Sequence, residues 1–151
     1  HLVLSTVHTN DALSTIVRLV DMGIEPFLVA SSVKCVISQR LVKKICPKCK
    51  TVHTLTDEEK YILKTDLEHT HMGAGCADCN STGYTGRTAV FEILLVDKHI
   101  QDLVAKEASM EEIRQYTEDQ NMRLLREEVM DLVKKGVTTT EEAVRLLYSV
   151  D

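Results

Sequence analysis

The sequence has no tryptophan, only two prolines and six glycines, and aromatic residues make up 4% of its 151 residues. So little proline and glycine excludes a low-complexity linker or a collagen-like repeat, and the core must be aliphatic. No window of roughly eighteen apolar residues occurs, so the sequence predicts no membrane-spanning helix. No basic segment followed by an apolar stretch opens the chain, so nothing indicates a secretory signal.

The residues that are present have a balance typical of a globular domain, with 44% hydrophobic and 27% charged residues. The net charge of −5 is unevenly distributed, because residues 26–56 carry six basic and no acidic residues while residues 97–151 hold thirteen acids against eight bases. A basic stretch can bind phosphate or an acidic surface, or form a solvated face beside a cysteine site, which we favour. The acidity and the lack of interleaved aromatics argue against a nucleic-acid partner.

Four of the five cysteines form two matched C-x2-C pairs separated by twenty-six residues; they are Cys46, Cys49, Cys76 and Cys79. Each pair can direct two thiolates at one point, and two pairs complete the tetrahedral shell of four sulfurs that Zn2+ accepts. Because the protein fills all four positions, we expect a structural rather than a catalytic zinc. Loss of the metal is expected to unfold mainly residues 46–79.

Alternatives to this zinc site are two disulfides or a redox-active pair. A cytosolic chain disfavours disulfides, and two matched pairs in so short a span favour a metal. His53, His69 and His71 lie nearby and can serve as ligands, but four thiols make them unnecessary. The fifth cysteine, Cys35, is expected to be a small buried hydrophobe.

Hydrophobic periodicity and capping residues predict an α/β chain. Leu2-Val3-Leu4 predicts a buried strand, after which Thr9 or Asn10 caps a helix that ends at Gly23. Pro26 opens a second helix, and two strands that can pair antiparallel are predicted on either side of the cysteine segment, at 35–45 and 88–95. Further helices are predicted at 57–64, 98–106, 110–119, 122–135 and 141–149.

The first twelve residues, HLVLSTVHTNDA, resemble the histidine box of the hexameric ATPases of type II secretion and type IV pilus assembly. Three further segments are similar to that family and follow in the same order: QRL at 39–41, TGYTGR at 82–87 and GVTTTEE at 136–142. The doubled cysteine pair resembles the assembly and secretion ATPases, whereas retraction ATPases generally lack it. The ordered set covers essentially the whole chain.

The resemblance implies the C-terminal part of a RecA-like P-loop NTPase domain, with a tetracysteine zinc-binding insertion and a helical C-terminal tail. It implies that His8, with His1 as the second histidine, contacts the γ-phosphate, and that Gly86 and Arg87 lie near the nucleotide. The whole protein would use ATP and Mg2+ in addition to the structural Zn2+. It would form a homo-hexamer that acts with an inner-membrane platform protein, in the cytoplasm at the inner face of the membrane.

The resemblance also suggests a division into four parts. Residues 1–45 and 80–96 would belong to the ATPase core, 46–79 to the zinc subdomain and 97–151 to the helical tail. The chain begins with His1 rather than methionine and contains no G-x-x-x-x-G-K-[ST] loop, so we expect a fragment that does not hydrolyse ATP by itself. The alternative is a free-standing zinc-binding module for protein interactions.

Overall fold

A computed structural model describes residues 1–120 and 122–148 as a mixed α/β chain. Its strands are β1 (Cys35–Ile45), β2 (Lys50–Thr54), β3 (His69–Gly73) and β4 (Tyr84–Leu95). Its helices are α1 (Ala12–Asp21), α2 (Pro26–Ser32), α3 (Asp57–Leu63), α4 (Lys98–Ala105), α5 (Met110–Asp119), α6 (Leu125–Lys134) and α7 (Thr140–Tyr148). No helix in these residues is long and apolar enough to span a bilayer.

The strands form two sheets of two strands each. β1 pairs with β4, which confirms that the strands on either side of the cysteine segment are partners. β2 and β3 pair antiparallel from Lys50↔Gly73 to Thr54↔His69, and the sequence had not predicted either of these strands.

The chain forms two compact units, and the first comprises His1–Ser38 and Phe91–Leu124. Its core is aliphatic, as predicted from the scarcity of aromatics, and contains Leu13, Ile16, Val29, Leu94, Ile100 and Ile113. The buried Glu92 carboxylate accepts a hydrogen bond from the Ala12 N–H (2.9 Å) at the first residue of α1. The glycine predicted to end this helix, Gly23, has φ +88° directly after the C-cap Met22.

Two predictions for the start of this unit are wrong. The cap of α1 is Asp11 rather than Thr9 or Asn10, because the Asp11 carboxylate accepts the Ser14 N–H (2.6 Å). The predicted strand at Leu2-Val3-Leu4 is absent, and these side chains are 86%, 77% and 90% exposed. A strand needs a neighbour for its N–H and C=O groups, and both sheets in the described part of the chain are formed without this segment.

The second unit comprises Gln39–Val90 and Leu125–Asp151, and it contains all four paired cysteines. Its core joins β1 and β4 to α3, α6 and α7 through Val42, Leu63, Val90, Val129, Val133 and Ala143. The four-part division at residues 45, 79 and 96 stays a prediction.

The predicted helix ends agree closely with the structure where the capping residue and its partner are near each other in the chain. Capping boxes at Thr56 and Ser109 open α3 and α5, which begin at residues 57 and 110 as predicted. α6 begins at Leu125 rather than 122, because the Met122 N–H instead closes the end of α5 on the Thr117 carbonyl (3.0 Å). α7 begins one residue early, and its predicted end at Ser149 lies outside the described residues.

Candidate metal centre

Four sulfurs converge between β2, β3 and the start of β4. The Cys46 and Cys76 sulfurs are 3.9 Å apart, the Cys49 and Cys79 sulfurs 3.8 Å, and the Cys76 and Cys79 sulfurs 3.7 Å. All four lie within 4.8 Å of one another, and this cysteine cluster is the one group of potential metal ligands of its kind in residues 1–120 and 122–148. The structure therefore brings together the four residues that the sequence predicts as ligands.

The spacing of the cluster fits a tetrahedral metal. A Zn–S bond of about 2.3 Å places the sulfurs of a tetrahedron about 3.8 Å apart, which matches these three separations. A disulfide would need a separation of about 2.05 Å, and all four thiols are free. Geometry and donor chemistry both favour a bound zinc over two disulfides.

Backbone amides surround the sulfurs. The Gly75 N–H donates to the Cys49 sulfur, and the N–H groups of Cys76 and Gly83 both donate to the Cys79 sulfur, each at 3.3 Å. Such donors stabilise negative charge on sulfur, which is the form that binds a metal. The cluster thus has the partial positive charges that four thiolates require around them.

The acidity of the thiols differs with their surroundings. Burial opposes ionisation of Cys79, but the amides of Cys76 and Gly83 outweigh it and lower its pKa to about 6. A hydrogen bond from the Thr85 hydroxyl lowers the pKa of Cys46, whereas burial raises the pKa of Cys49 to about 12. Four thiolates this close repel one another, so a cation at their centre is needed for all of them to ionise together.

Glycines shape the second cysteine loop, and one of them joins it to the first. Gly75 and Gly83 have φ of +91° and +76°, a region that favours glycine. Gly83 also lies directly against Gly73, where a methyl group on either residue would overlap the other's backbone. The Gly83 carbonyl accepts the Cys46 N–H (2.9 Å), so this glycine joins the second loop to the first.

The three nearby histidines have other surroundings. His53 contacts the Glu59 carboxylate (3.0 Å), and His69 Nδ1 lies 3.3 Å from the Thr54 hydroxyl. His71 Nδ1 is buried without a hydrogen-bond partner in the structure. None of them belongs to the group of candidate ligands in the described residues.

Cys35 does not fit its prediction. It is exposed at the first position of β1 rather than buried, because β1 alternates and places residues 35, 37, 39 and 41 toward solvent. Side chains in a strand point to opposite faces in turn, so the odd positions here share one open face.

The residues implied to contact nucleotide are not part of the cysteine cluster. His1 and His8 are exposed in the irregular segment before α1. Gly86, with φ +71°, and the exposed Arg87 lie early in β4. The structure assigns none of these four residues a contact that reveals a ligand, so their roles stay predictions.

Two interactions near the cluster were not predicted from the sequence. Glu142 is buried and accepts the Lys43 N–H (2.8 Å), while the Lys43 ammonium lies 3.3 Å from it. Three consecutive threonines are buried, and each forms a hydrogen bond through its hydroxyl with a different neighbouring element; they are Thr138, Thr139 and Thr140. No local pattern reveals such contacts, because their partners are between 55 and 99 residues away in the chain.

Comparison with known proteins places the chain among secretion and pilus proteins. The profile of the family described as "Type II/IV secretion system protein" matches residues 1–145. Type II secretion system protein E of Pseudomonas aeruginosa is 41% identical over 97% of this chain and 30% of its own length. Type IV pilus assembly ATPase PilB of Myxococcus xanthus is 41% identical over 95% of this chain and 26% of its own length. The chain thus spans less than a third of the length of these relatives.

Proposed function

Because this chain belongs to the type II/IV secretion system protein family, we propose that it is the C-terminal part of a motor ATPase for protein secretion or pilus assembly. The relatives named above include an assembly ATPase, and the similarity extends over nearly all of the chain. The whole protein would act as a homo-hexamer in the cytoplasm, bound at the inner-membrane platform protein. ATP hydrolysis would drive the assembly of pilin or pseudopilin subunits.

The observation that carries this proposal is the four-sulfur cluster within a chain that matches the family from residue 1 to 145. The match supports the motor over a free-standing zinc module, since that alternative assumes no enzymatic ancestry. Zn2+ held by Cys46, Cys49, Cys76 and Cys79 would be structural, because the protein leaves no coordination position open for a substrate.

We expect the first unit to belong to a RecA-like core in the whole protein. The exposed side chains of Leu2, Val3 and Leu4 support this, because an apolar triplet left in water is typical of a segment that packs elsewhere. This segment leads directly into the residues that carry His8.

His8 is proposed to donate a hydrogen bond to the γ-phosphate, with His1 as a second donor. ATP and Mg2+ supply the phosphoryl group and its charge neutralisation, and donors placed around the phosphate oxygens stabilise developing charge. Arg87 would contact the nucleotide base or ribose, and Gly86 would allow close approach of the backbone.

The metal proposal is tested by metal analysis of the chain purified without chelator. We expect about one equivalent of zinc per chain, as one four-sulfur site requires. Cys49→Ser should lose the metal, whereas Cys35→Ser, which changes an exposed cysteine outside the cluster, should keep it. Metal-free protein, or disulfides among the four cysteines, would contradict the proposal.

The proposed hydrogen bond from His8 to the γ-phosphate is tested in the whole ATPase with His8→Ala. We expect kcat to fall roughly ten- to a thousandfold, because one positioned donor to the reacting phosphate is lost, while ADP affinity stays similar. His69→Ala, at an exposed histidine of β3, is the matched control. Parental turnover in a folded, zinc-loaded His8→Ala enzyme would show that the histidine is structural.

A further inference from the structure

Residues 137–140, which lead from α6 into the first residue of α7, contact β1, β4 and α3 near the cysteine cluster; we call them the threonine segment. The Thr138 hydroxyl donates to the Lys43 carbonyl of β1 (2.7 Å). The Thr139 hydroxyl is hydrogen-bonded to the Tyr84 hydroxyl at the start of β4 (2.9 Å). The Thr140 hydroxyl donates to Glu59 of α3 (2.8 Å). The three hydroxyls therefore bind β1 and β4, which each adjoin one cysteine loop, and α3, which lies between β2 and β3.

The threonine segment reaches the first cysteine loop through the backbone. The Ile45 N–H donates to the Val137 carbonyl (2.9 Å), and Ile45 directly precedes the ligand Cys46. Together with the bond from Thr138 to Lys43, this contact binds the last three residues of β1 at two points. The backbone position of Cys46 therefore depends on where the threonine segment lies.

A second route leads to the other cysteine loop. Tyr84, the partner of Thr139, directly follows Gly83. The Gly83 N–H donates to the Cys79 sulfur (3.3 Å), and its carbonyl accepts the Cys46 N–H (2.9 Å). The same segment thus positions residues adjacent to both halves of the candidate metal site.

Burial makes these contacts costly to break. Thr138, Thr139 and Thr140 are exposed by 0%, 5% and 4%. A buried hydroxyl or carbonyl that loses its partner has no water to replace it, so the group and its partner tend to stay together or separate together. Release of either cysteine loop would leave several such groups without a partner at once.

From these contacts we infer that zinc binding by the cysteine cluster and docking of α7 are one coupled equilibrium, transmitted by the threonine segment. This inference rests on the zinc site of the proposed function and goes beyond it. The sequence alone predicts that metal loss unfolds mainly residues 46–79, whereas the contacts extend the effect to α7, residues 140–148. Because coupling between two events is reciprocal, weakening the threonine contacts must also weaken zinc binding.

Hydrogen exchange of the full 151-residue chain tests this coupling, with zinc bound and after removal by a chelator. We expect metal removal to raise exchange in α7 as well as in residues 46–83, with little change in α4. In parallel, competition with a zinc-binding dye measures the affinity of Thr138→Val and Thr140→Val. Each is expected to bind zinc roughly tenfold more weakly, within the range typical of coupled sites.

Thr117→Val is the matched control. Thr117 is as buried as Thr138, but its hydroxyl bonds the Arg114 carbonyl within its own helix, in the unit without the paired cysteines. It should leave zinc affinity and α7 exchange unchanged.

Bound zinc whose removal leaves α7 protected would overturn the coupling and leave the zinc site intact. Absence of bound zinc in the parent would overturn the zinc site and the coupling together. If a threonine variant does not fold, the exchange experiment on the parent still decides. An equal loss of zinc affinity in Thr117→Val and Thr138→Val would also contradict the inference.

Discussion

Glu59 shows how one carboxylate can hold three elements together. It accepts the Thr56 N–H (2.9 Å) in the capping box of α3, the Thr140 hydroxyl of α7 (2.8 Å) and a contact from His53 of β2 (3.0 Å). Burial opposes its ionisation, but the hydrogen bonds from Thr56, Thr140 and His53 outweigh burial and lower its pKa to about 2, from an ordinary 4.5. The ionised carboxylate is therefore the form that the fold stabilises.

The lowered pKa makes part of the stability depend on pH. A carboxyl whose pKa is lower in the folded state stabilises the fold above its unfolded pKa, and this contribution is lost as pH falls through the folded pKa. We expect Glu59→Gln to lower the free energy of unfolding near pH 7 by about 1–3 kcal/mol. Its stability should also change less than the parent's between about pH 4.5 and 2. Urea unfolding at several pH values measures both effects.

Glu58→Gln is the control for this prediction, because Glu58 is exposed in the same first turn of α3. Protonation of the cysteines at low pH affects both variants, so the comparison between them isolates Glu59. An equal pH response of the two variants would show that the Glu59 carboxylate contributes nothing specific.

Local capping signals explain which elements the sequence predicts well. The boxes at Thr56 and Ser109, Pro26 of α2 and Gly23 after α1 act through neighbours a few residues away, so their pattern is visible in the sequence.

The strands β2 and β3 were missed for the opposite reason. Their sequences, KTVHT and HTHMG, have few apolar residues, and only Thr70 among them is buried. Pairing with a distant partner, not periodicity, makes them strands.

The close approach of Gly83 to Gly73 across the base of the second cysteine loop predicts the effect of Gly83→Ala. The new methyl group would overlap the backbone of Gly73, and an alanine is strained at the φ of +76° found here. We therefore expect reduced thermal stability and loss of zinc. Gly23→Ala is the matched control, since Gly23 has φ +88° but nothing within 4 Å of an added methyl group. Gly23→Ala should lower the free energy of unfolding by only about 1–2 kcal/mol, the cost of placing a residue with a side chain in the left-handed region.

Thermal unfolding and metal content measure the two glycine variants side by side. Retention of a full equivalent of zinc by Gly83→Ala at parental stability would mean that the second cysteine loop does not need the close contact between Gly73 and Gly83.

At the scale of the whole molecule, composition and order of motifs were more informative than any single element. The aliphatic core, the α/β class and the four-cysteine cluster were all predicted, and family membership confirmed the resemblance. The buried Glu142 and the threonine segment were not predicted as structural contacts, because their partners are distant in sequence. The GVTTTEE motif was visible, but only the fold shows what its hydroxyl groups bind.

The 151-residue chain by itself is expected to be largely monomeric and to release no phosphate from ATP. Its sequence has no G-x-x-x-x-G-K-[ST] loop, so it lacks the backbone amides and lysine that hold the phosphates. Sedimentation velocity and a phosphate-release assay test the two parts. A stable hexamer, or phosphate release that EDTA abolishes, would contradict them.

The exposure of Cys35, opposite to its prediction, has a practical consequence. A zinc ion bound by the other four cysteines would shield their sulfurs from a chromogenic thiol reagent and leave Cys35 as the reactive thiol. The same titration would count five thiols once the metal is removed, since the chain has five cysteines. This cysteine therefore gives an optical gauge of metal loading, and a single attachment point for a fluorescent label on the zinc-bound protein.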